Sequence, residues 1–299
     1  MAEFKSGFVA MLGRTNVGKS TLVNLLVGEK VAATADKVQT TRTAIKGIAN
    51  RENSQIIFID TPGIHKPKHE LGKTLNRNAY TAIQEADLIF YMVDATQSFG
   101  SGDEFLLERV KNSNLPCFLI LSKIDLIDKE KLLYILTKWQ ARHNFDEIIP
   151  ISALTEDNLD TLLKVARDYM QEGGMFFPED MKSDHGLMFQ LSEIIREKVL
   201  IKTNEEVPHS VAVVIEKMDE SENSVFMNAM IIVERSSQKA ILIGKQAAMI
   251  RSIRLSAQKE LKEKLGKKVE LELYVRVEKN WRNRRHKLAQ FGYLEKEED

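Results

Sequence analysis

A phosphate-binding loop is the part of this sequence with the clearest chemical meaning. Residues 13–20 read G-R-T-N-V-G-K-S, a complete G-x-x-x-x-G-K-S motif. In such a loop the glycines let backbone N–H groups point at phosphate oxygens, and the lysine reaches the β- and γ-phosphates. The serine hydroxyl can bind a magnesium ion. The motif therefore predicts a nucleoside triphosphate site.

Three later apolar runs end in polar residues that suit a guanine nucleotide. The run ending in D-T-P-G at residues 60–63 offers a second magnesium contact and a backbone N–H for the γ-phosphate. The run ending in S-K-I-D at residues 122–125 offers a carboxylate that can accept hydrogen bonds from the guanine N1–H and amine. The run ending in S-A-L at residues 152–154 can contact the guanine carbonyl through its backbone. Between the phosphate loop and the first of these runs, Q-T-T-R-T at residues 39–43 suits a mobile switch that supplies a threonine to the metal.

These motifs must be positioned by strands and helices in a fixed order. An apolar run at residues 8–12 precedes the phosphate loop, and a helix-like run at residues 21–26 follows it. The runs at residues 55–59, 117–121 and 147–151 precede the other three motifs. This order predicts an α/β fold with a doubly wound, mostly parallel sheet, whose strand ends carry the site.

In this order the motifs resemble those of translation-factor-like GTPases, and of the Era family in particular. The matching stretches are the loop at 13–20, T-T-R at 40–42, D-T-P-G-I-H-K-P at 60–67 and P-I-S-A at 150–153. Two further stretches, E-I-I-R-E-K at 193–198 and E-E-V-P-H at 205–209, extend the resemblance over essentially the whole chain. The resemblance implies an enzyme that slowly hydrolyses GTP to GDP and phosphate. It also implies binding to the 3′ region of small-subunit (16S) ribosomal RNA and a role in small-subunit assembly.

The predicted residues of the nucleotide domain form three overlapping groups. The residues implied to act in catalysis are Lys19, Thr41 and Gly63. The predicted magnesium ligands are Ser20, Thr41 and Asp60. The residues predicted to bind GTP are Gly13, Arg14, Thr15, Asn16, Val17, Gly18, Lys19, Ser20, Thr21, Asp60, Thr61, Pro62, Gly63, Ile64, Ser122, Lys123, Ile124, Asp125, Ser152, Ala153 and Leu154.

Three positions bear on affinity and rate. The guanine motif begins with Ser122 where Era proteins have asparagine, and this shorter side chain cannot make all the hydrogen bonds of an amide. Ile64 cannot orient a water, so we expect slow hydrolysis, with the missing element supplied by another residue, a cation or a partner. Asn16 resembles the residue that holds a potassium ion in some relatives, although a hydrogen bond that stabilises the loop is an equally good role.

The C-terminal part carries an excess of positive charge. The formal net charge of the chain is zero, but between Arg235 and Gln290 there are 16 Lys and Arg against 5 Glu, a local charge of +11. The rest of the chain therefore carries −11. Such segregation predicts contact with a polyanion.

The same region has the element order of a type II KH domain. Glycines at 173–174 and P-E-D at 178–180 predict a linker, so we place the GTPase domain at residues 1–175 and the KH-like domain at 176–299. After it we expect a helix at 189–202, strands at 210–215 and 225–234, two helices around residues 244–247, a strand at 268–277 and a basic C-terminal helix. A KH domain clamps single-stranded RNA with a G-x-x-G turn. Here the turn reads G-K-Q-A, and the alanine disfavours a positive φ.

Candidate RNA contacts follow from this resemblance. The predicted residues are Gly244, Lys245, Gln246, Ala247, Arg251, Arg282, Arg284 and Arg285. Trp281, beside the basic tail, could stack on a base or pack against the last strand.

Composition limits the remaining possibilities. No apolar run approaches the ~20 residues of a membrane span, and no signal peptide is visible at the start. The single cysteine, Cys117, permits no internal disulfide and fits a reducing compartment. We therefore expect a cytoplasmic monomer, with a peripheral contact to the inner face of the membrane left open.

Two alternative functions remain at this point. One is a signalling GTPase whose KH-like domain docks on protein or membrane. The other is an RNA-binding scaffold that binds nucleotide without significant turnover.

Overall fold

The computed structural model describes residues 3–35, 40–63, 69–204 and 207–294, with the side chain of Asn78 left out. These residues form two compact units. The first contains residues 3–32, 41–63 and 75–184. The second contains residues 185–204 and 207–294, and also the short segments 33–35, 40 and 69–74. The sequence analysis assigned none of these short segments to the second unit.

The first unit extends past the predicted boundary at residue 175, because the segment after it is bonded to the first sheet. The backbone N–H groups of Phe176 and Phe177 donate to the Gln55 side chain at 2.8 and 2.9 Å. The N–H of Ile48 donates to the Lys182 carbonyl at 2.9 Å. Residues up to Asp184 therefore belong to the first unit.

A mostly parallel sheet forms the centre of the first unit. Its strands are β1 (Lys5–Gly13), β2 (Ile45–Arg51), β3 (Ser54–Asp60), β4 (Leu88–Asp94), β5 (Cys117–Ser122), β6 (Glu147–Pro150) and β7 (Gln171–Glu172). The order is β2-β3-β1-β4-β5-β6, with β7 paired to β1, and only β2 and β7 pair antiparallel. Every residue of β3, β4 and β5 is buried, which explains why these strands read as continuous apolar runs.

Helices cover both faces of this sheet. They are α1 (Lys19–Val27), α2 (Glu70–Glu85), α3 (Ser101–Lys111), α4 (Lys129–Gln140) and α5 (Leu159–Asp168). Helices α2, α3 and α4 share a buried apolar cluster with Ile59 of β3. Successive residues of a strand point to opposite faces of the sheet, so Phe58 points away from this cluster. Gly47 of β2 pairs with Phe58 and therefore lies on the same face as Phe58. A Cβ at Gly47 would lie 2.6 Å from Val23, which places α1 on that side. The predicted doubly wound sheet is confirmed.

The second unit packs helices on a three-stranded sheet. Its elements are α6 (Leu187–Lys202), α7 (Val207–Ser210), β8 (Ala212–Glu220), β9 (Ser224–Val233), α8 (Ser236–Ile243), α9 (Ala248–Leu265), β10 (Lys268–Val277) and α10 (Arg285–Gln290). The order is β10-β9-β8, with β9 and β10 parallel and β8 antiparallel to β9. The first strand starts at Ala212 rather than at the predicted residue 210, because Ser210 ends α7.

Apolar periodicity determines the core of the second unit. On β10, Val269 and Leu271 are buried, whereas Glu270 and Glu272, the residues that follow each of them, are exposed. On α9, the buried residues Ile253, Ala257 and Leu261 form one stripe. Among the described residues, the helices are all too short or too polar to cross a membrane.

Candidate functional site

The phosphate loop connects β1 to α1, as the motif predicts. Gly13 and Gly18 have φ values of 154° and 98°, and a Cβ at Gly13 would lie 2.5 Å from the Met92 carbonyl oxygen. Only glycine fits there without strain. The ammonium of Lys19 donates to the carbonyls of Gly13 and Arg14 at 3.1 and 2.9 Å. The lysine is therefore curled over its own loop, where a phosphate chain would lie.

Burial strongly perturbs the two charged groups at the centre of the loop. It lowers the pKa of Lys19 to about 8, although the negative charge of Asp60 acts in the opposite direction. It raises the pKa of Asp60, although Lys19 and the hydroxyls of Ser20 and Thr41 oppose that shift. Charged groups that are buried at a cost are typical of sites that bind charged ligands.

The three predicted magnesium ligands lie together. The Ser20 hydroxyl donates to Asp60 Oδ2 at 2.6 Å, and the Thr41 hydroxyl donates to the same oxygen at 3.0 Å. The two hydroxyl oxygens are 2.7 Å apart. The other carboxylate oxygen of Asp60 is buried and makes no hydrogen bond with any part of the chain that the structure describes. A cluster of hard oxygens with an unused buried carboxylate oxygen fits a magnesium ion.

The D-T-P-G segment packs against the phosphate loop. The Thr61 hydroxyl donates to the Met11 carbonyl at 2.6 Å, which fixes the start of the segment to β1. A Cβ at Gly63 would lie 2.7 Å from the Thr15 side chain, so a glycine is needed for this approach. The predicted γ-phosphate contact is thus next to the loop. Ile64, a predicted contact, lies outside the described residues.

The guanine motif is joined to the phosphate loop by hydrogen bonds. The Ser122 hydroxyl lies 2.7 Å from the Val17 carbonyl oxygen and 3.0 Å from that of Val93. The ammonium of Lys123 donates to the Asn16 carbonyl at 3.0 Å. Lys123 itself has the left-handed φ of 60° that a non-glycine residue seldom adopts.

Asp125 is held by Ser152, so the second and third predicted guanine motifs meet. The Ser152 hydroxyl, fully buried, donates to Asp125 Oδ1 at 2.6 Å. Asp125 is exposed, in a short 3-10 helix that begins at Ile124. Leu154 is 81% exposed, which suits a residue on the rim of a base-binding site.

Two acidic residues were missed by the sequence reasoning. Asp94 is the last residue of β4, and its Oδ2 forms a salt bridge with Lys123 Nζ at 2.8 Å. Although burial opposes it, hydrogen bonds from Lys123 and Thr96 hold the pKa of Asp94 below its ordinary value. Asp103 of α3 pairs with Arg14 at 3.2 Å. The apolar run that ends in Asp94 could have identified the first, whereas nothing in the sequence pattern links Asp103 to the loop.

The RNA candidates of the KH turn include three exposed side chains. Lys245, Gln246 and Arg251 are exposed, and Gly244 has a φ of 70°. Ala247 has a φ of 59°, the strained conformation that the missing glycine would have relieved. Three residues of the turn, Gly244, Gln246 and Ala247, therefore have positive φ, although only the first is a glycine.

The predicted RNA-contact residues of the tail already have partners within the protein. The guanidinium of Arg282 forms a salt bridge with Glu234 at 2.5 Å, and its Nη1 donates to the His209 carbonyl at 3.2 Å. Its contact with RNA stays a prediction. Arg284 lies 3.7 Å from Glu278 with its side chain 45% exposed, and Arg285 is exposed.

Trp281 packs in the core instead of being presented to a base. It is fully buried, 5.6 Å from the Tyr293 ring, and its indole N–H donates to the Ser210 carbonyl at 3.0 Å. The packing alternative is therefore the correct one.

Comparison with known proteins identifies the family. A family model described as a 50S ribosome-binding GTPase matches residues 8–123, and a KH domain model matches residues 206–282. The chain is 40% identical to Era in a crystal structure with MgGDPNP and nucleotides 1506–1542 of 16S ribosomal RNA, with a TM-score of 0.93. That similarity covers 97% of this chain and 99% of the other. The chain belongs to the Era family of GTPases.

A second Era structure gives the same result. It is a variant of Aquifex aeolicus Era bound to GDP and AlF4−, with 40% identity, a TM-score of 0.93 and the same coverage of both chains. The predicted Era family, the GTPase and KH domain types and their order are confirmed. In this Era-family chain the first unit carries the nucleotide motifs and the second carries the KH turn.

Proposed function

We propose that this Era-family GTPase binds the 3′ region of 16S ribosomal RNA under the control of GTP and assists assembly of the small ribosomal subunit. The observation that carries the proposal is the hydrogen-bonded cluster of Ser20, Thr41 and Asp60 beside Lys19, in a chain that is similar to Era over nearly its whole length. Era itself was crystallised with a GTP analogue, magnesium and a 16S fragment.

Similarity over the full chain favours the small subunit over the large one. The model whose description mentions the 50S subunit matches only residues 8–123, which exclude the KH domain. The similarity to Era in complex with a 16S fragment includes both domains. Since the local charge of +11 lies in the KH region, the RNA preference is better inferred from the second comparison.

The geometry of the first unit supports hydrolysis with magnesium. Ser20, Thr41 and Asp60 would hold the ion, which supplies positive charge to the transferring phosphoryl group. Lys19 is already within reach of the loop carbonyls and would move to the β,γ-phosphates. The N–H of Gly63 would bind the γ-phosphate from the opposite side.

Release of phosphate under multiple turnover tests the enzymatic part and separates it from a nucleotide-binding scaffold. Lys19→Ala should abolish turnover, because it removes the charge next to the phosphates. Lys131→Ala, at an exposed position of α4, is the matched control and should hydrolyse GTP at the parental rate. A parental protein that releases less than one phosphate per molecule would exclude the GTPase proposal.

Binding of the RNA fragment tests the second part. The full chain should retain nucleotides 1506–1542 of 16S ribosomal RNA on a filter, with a log–log salt slope of about −0.7 per neutralised phosphate. Lys245→Glu should weaken binding strongly. Lys131→Glu makes the same charge change in the first unit and should have little effect. If both variants weaken RNA binding equally, the attraction is non-specific. If the parental protein does not bind the RNA fragment, a KH domain that docks on protein or membrane is favoured.

We also propose that Asn16 contributes to a potassium site. Its φ of 65° places it at a left-handed turn of the phosphate loop, where its backbone is already constrained by Lys123. Turnover should be faster in potassium than in sodium, and Asn16→Ala should remove the difference. Identical rates in both salts would leave Asn16 a structural residue.

Finally, we propose that the protein acts as a monomer in the cytoplasm. Its single thiol, Cys117, is free and buried, with its pKa raised by burial, so it is suited to a packing role in a reducing compartment. Fractionation of cells tests the location, and recovery with membranes would support a peripheral contact. Light scattering of the purified chain tests the oligomeric state.

A further inference from the structure

Ser122 lies between the phosphate loop and the sheet. It ends β5, its side chain is buried, and its hydroxyl oxygen is 2.7 Å from the Val17 carbonyl oxygen and 3.0 Å from the Val93 carbonyl oxygen. Val17 belongs to the phosphate loop, and Val93 lies at the end of β4. The serine therefore connects two backbone segments that are distant in sequence.

The adjacent lysine makes a parallel contact. Lys123 donates to the Asn16 carbonyl, the one directly before that of Val17. Two consecutive donors thus bind two consecutive carbonyls of the loop. Since Lys123 is also paired with Asp94 of β4, both residues fix the loop to the same strand end.

A serine hydroxyl has one hydrogen to donate. Both neighbours of the Ser122 hydroxyl are carbonyl acceptors, and the shorter distance, 2.7 Å, assigns that hydrogen mainly to the Val17 carbonyl of the phosphate loop. A longer amide side chain carries two hydrogens, one for a carbonyl and one for another acceptor. Ser122 therefore has nothing left to donate to a nucleotide.

The polar groups of guanine divide among the remaining residues. In the proposed site its N1–H and amine would face the Asp125 carboxylate, and its O6 would face the backbone of residues 152–154. The ring nitrogen N7 is a hydrogen-bond acceptor and requires a donor. With asparagine at residue 122 the second amide hydrogen could serve that nitrogen, whereas the serine cannot.

We propose that Ser122 is a positioning residue that tethers the phosphate loop and leaves guanine N7 without a hydrogen bond, so that base selection rests on Asp125 and its partner Ser152. This inference rests on the proposed guanine nucleotide site. A site with Ser122 should bind guanine nucleotides that are altered at N7 with little loss of affinity, and it should still reject adenine.

The test compares GDP with 7-deaza-GDP, in which a C–H replaces N7. Both are titrated into the full-length protein in the presence of magnesium. The parental chain should bind the two within about twofold of each other. Ser122→Asn should create a preference for GDP of about three- to tenfold, the value of one neutral hydrogen bond. Ser122→Ala should weaken both nucleotides by the same factor, because it removes the tether and no contact to the base.

The outcomes are distinguishable from failure of the proposed function. A parental protein that binds neither nucleotide would reject the guanine site itself. Normal GDP binding with a loss of fivefold or more for 7-deaza-GDP would overturn the inference alone. A Ser122→Asn variant that is as stable to heat as the parental protein but shows no preference for GDP over 7-deaza-GDP would also overturn the inference. If that variant does not fold, the ratios for the parental chain and Ser122→Ala decide the question.

Discussion

In the proposed nucleotide site, we expect selection of the base to depend on a single exposed carboxylate. Asp125 offers two acceptor oxygens, and one of them is already bonded to the buried Ser152 hydroxyl at 2.6 Å. That bond fixes the orientation of the carboxylate before a nucleotide arrives. A pre-oriented acceptor loses little conformational entropy on binding, so a small exposed side chain can discriminate strongly.

Asp125→Asn should therefore change the preferred base. The amide replaces an acceptor with a donor, which suits the 2-oxo group of xanthine and opposes the guanine amine. We expect affinity for GDP to fall by about 100-fold and affinity for XDP to rise above it. Competition binding with GDP, XDP and ADP measures this. Equal affinity of the parental chain for GDP and ADP would contradict the assignment of Asp125.

The residues that the sequence could identify are those whose partners lie in the same motif or at a neighbouring strand end. Lys19, Ser20 and Asp60 belong to motifs with a fixed order, and the structure brings them together. The Arg14–Asp103 pair could not be predicted, because it depends on how α3 packs beside the loop. The engagement of Arg282 with Glu234 was missed because a charge count says nothing about which cations are already neutralised.

At the scale of elements, the KH turn contains more residues of positive φ than glycines. Three residues of the turn have positive φ: Gly244 at 70°, Gln246 at 50° and Ala247 at 59°. Only the first is a glycine. A Cβ at Gly244 would lie 2.8 Å from Met249 Cβ, so this glycine is required, whereas the strain at Ala247 is tolerated.

Ala247→Gly should stabilise the protein, by about 0.5–1 kcal/mol, because glycine adopts a positive φ without steric cost. The neighbouring residue provides a matched control. Ala248 has the helical values φ −65° and ψ −40°, so Ala248→Gly should destabilise by about 0.5–1 kcal/mol. Urea unfolding of the two variants and the parental protein measures the change in the free energy of unfolding for each substitution. Destabilisation by both would show that the positive φ of Ala247 carries no strain.

Elements with strict periodicity were predicted to their ends, and irregular ones were not. Strand β10 has the predicted bounds, Lys268–Val277, because its alternation is strict throughout. Helix α7 was missed, since four residues are too few to show a period. The position of the domain boundary depends on hydrogen bonds made by a segment without regular structure, and no local pattern reveals them.

At the scale of the whole molecule, the second unit contains a segment that precedes a predicted magnesium ligand. The N–H of Thr34 donates to Glu197 Oε2 at 2.7 Å, and its hydroxyl lies 3.3 Å from the same oxygen. Arg196 donates to the carbonyl of Thr40 and is held by Glu193. Thr41, the next residue in the chain, is a predicted magnesium ligand. The E-I-I-R-E-K stretch of α6 therefore binds the chain on the approach to Thr41.

These contacts predict that GTP and RNA influence each other's binding. In the structure Thr41 is bonded to Asp60 while Glu197 and Arg196 hold the segment before it. A nucleotide that keeps Thr41 on its magnesium would therefore favour these contacts of the second unit, and one that releases Thr41 would weaken them. Affinity for the 16S fragment should then differ between the GDP-bound and GDPNP-bound protein. By linkage, the fragment must change the ratio of the nucleotide affinities by the same factor.

Glu197→Gln should reduce this coupling factor, because a neutral amide accepts the Thr34 hydrogen bond more weakly than a carboxylate does. Glu222→Gln, an exposed change of the same charge in the loop before β9, should leave the factor unchanged. The measurement is a pair of titrations for each protein: RNA into the two nucleotide-bound forms, and nucleotide with and without RNA. A factor of one in the parental chain would mean that the two units bind their ligands independently. A parental factor that Glu197→Gln leaves intact would place the coupling elsewhere than at α6.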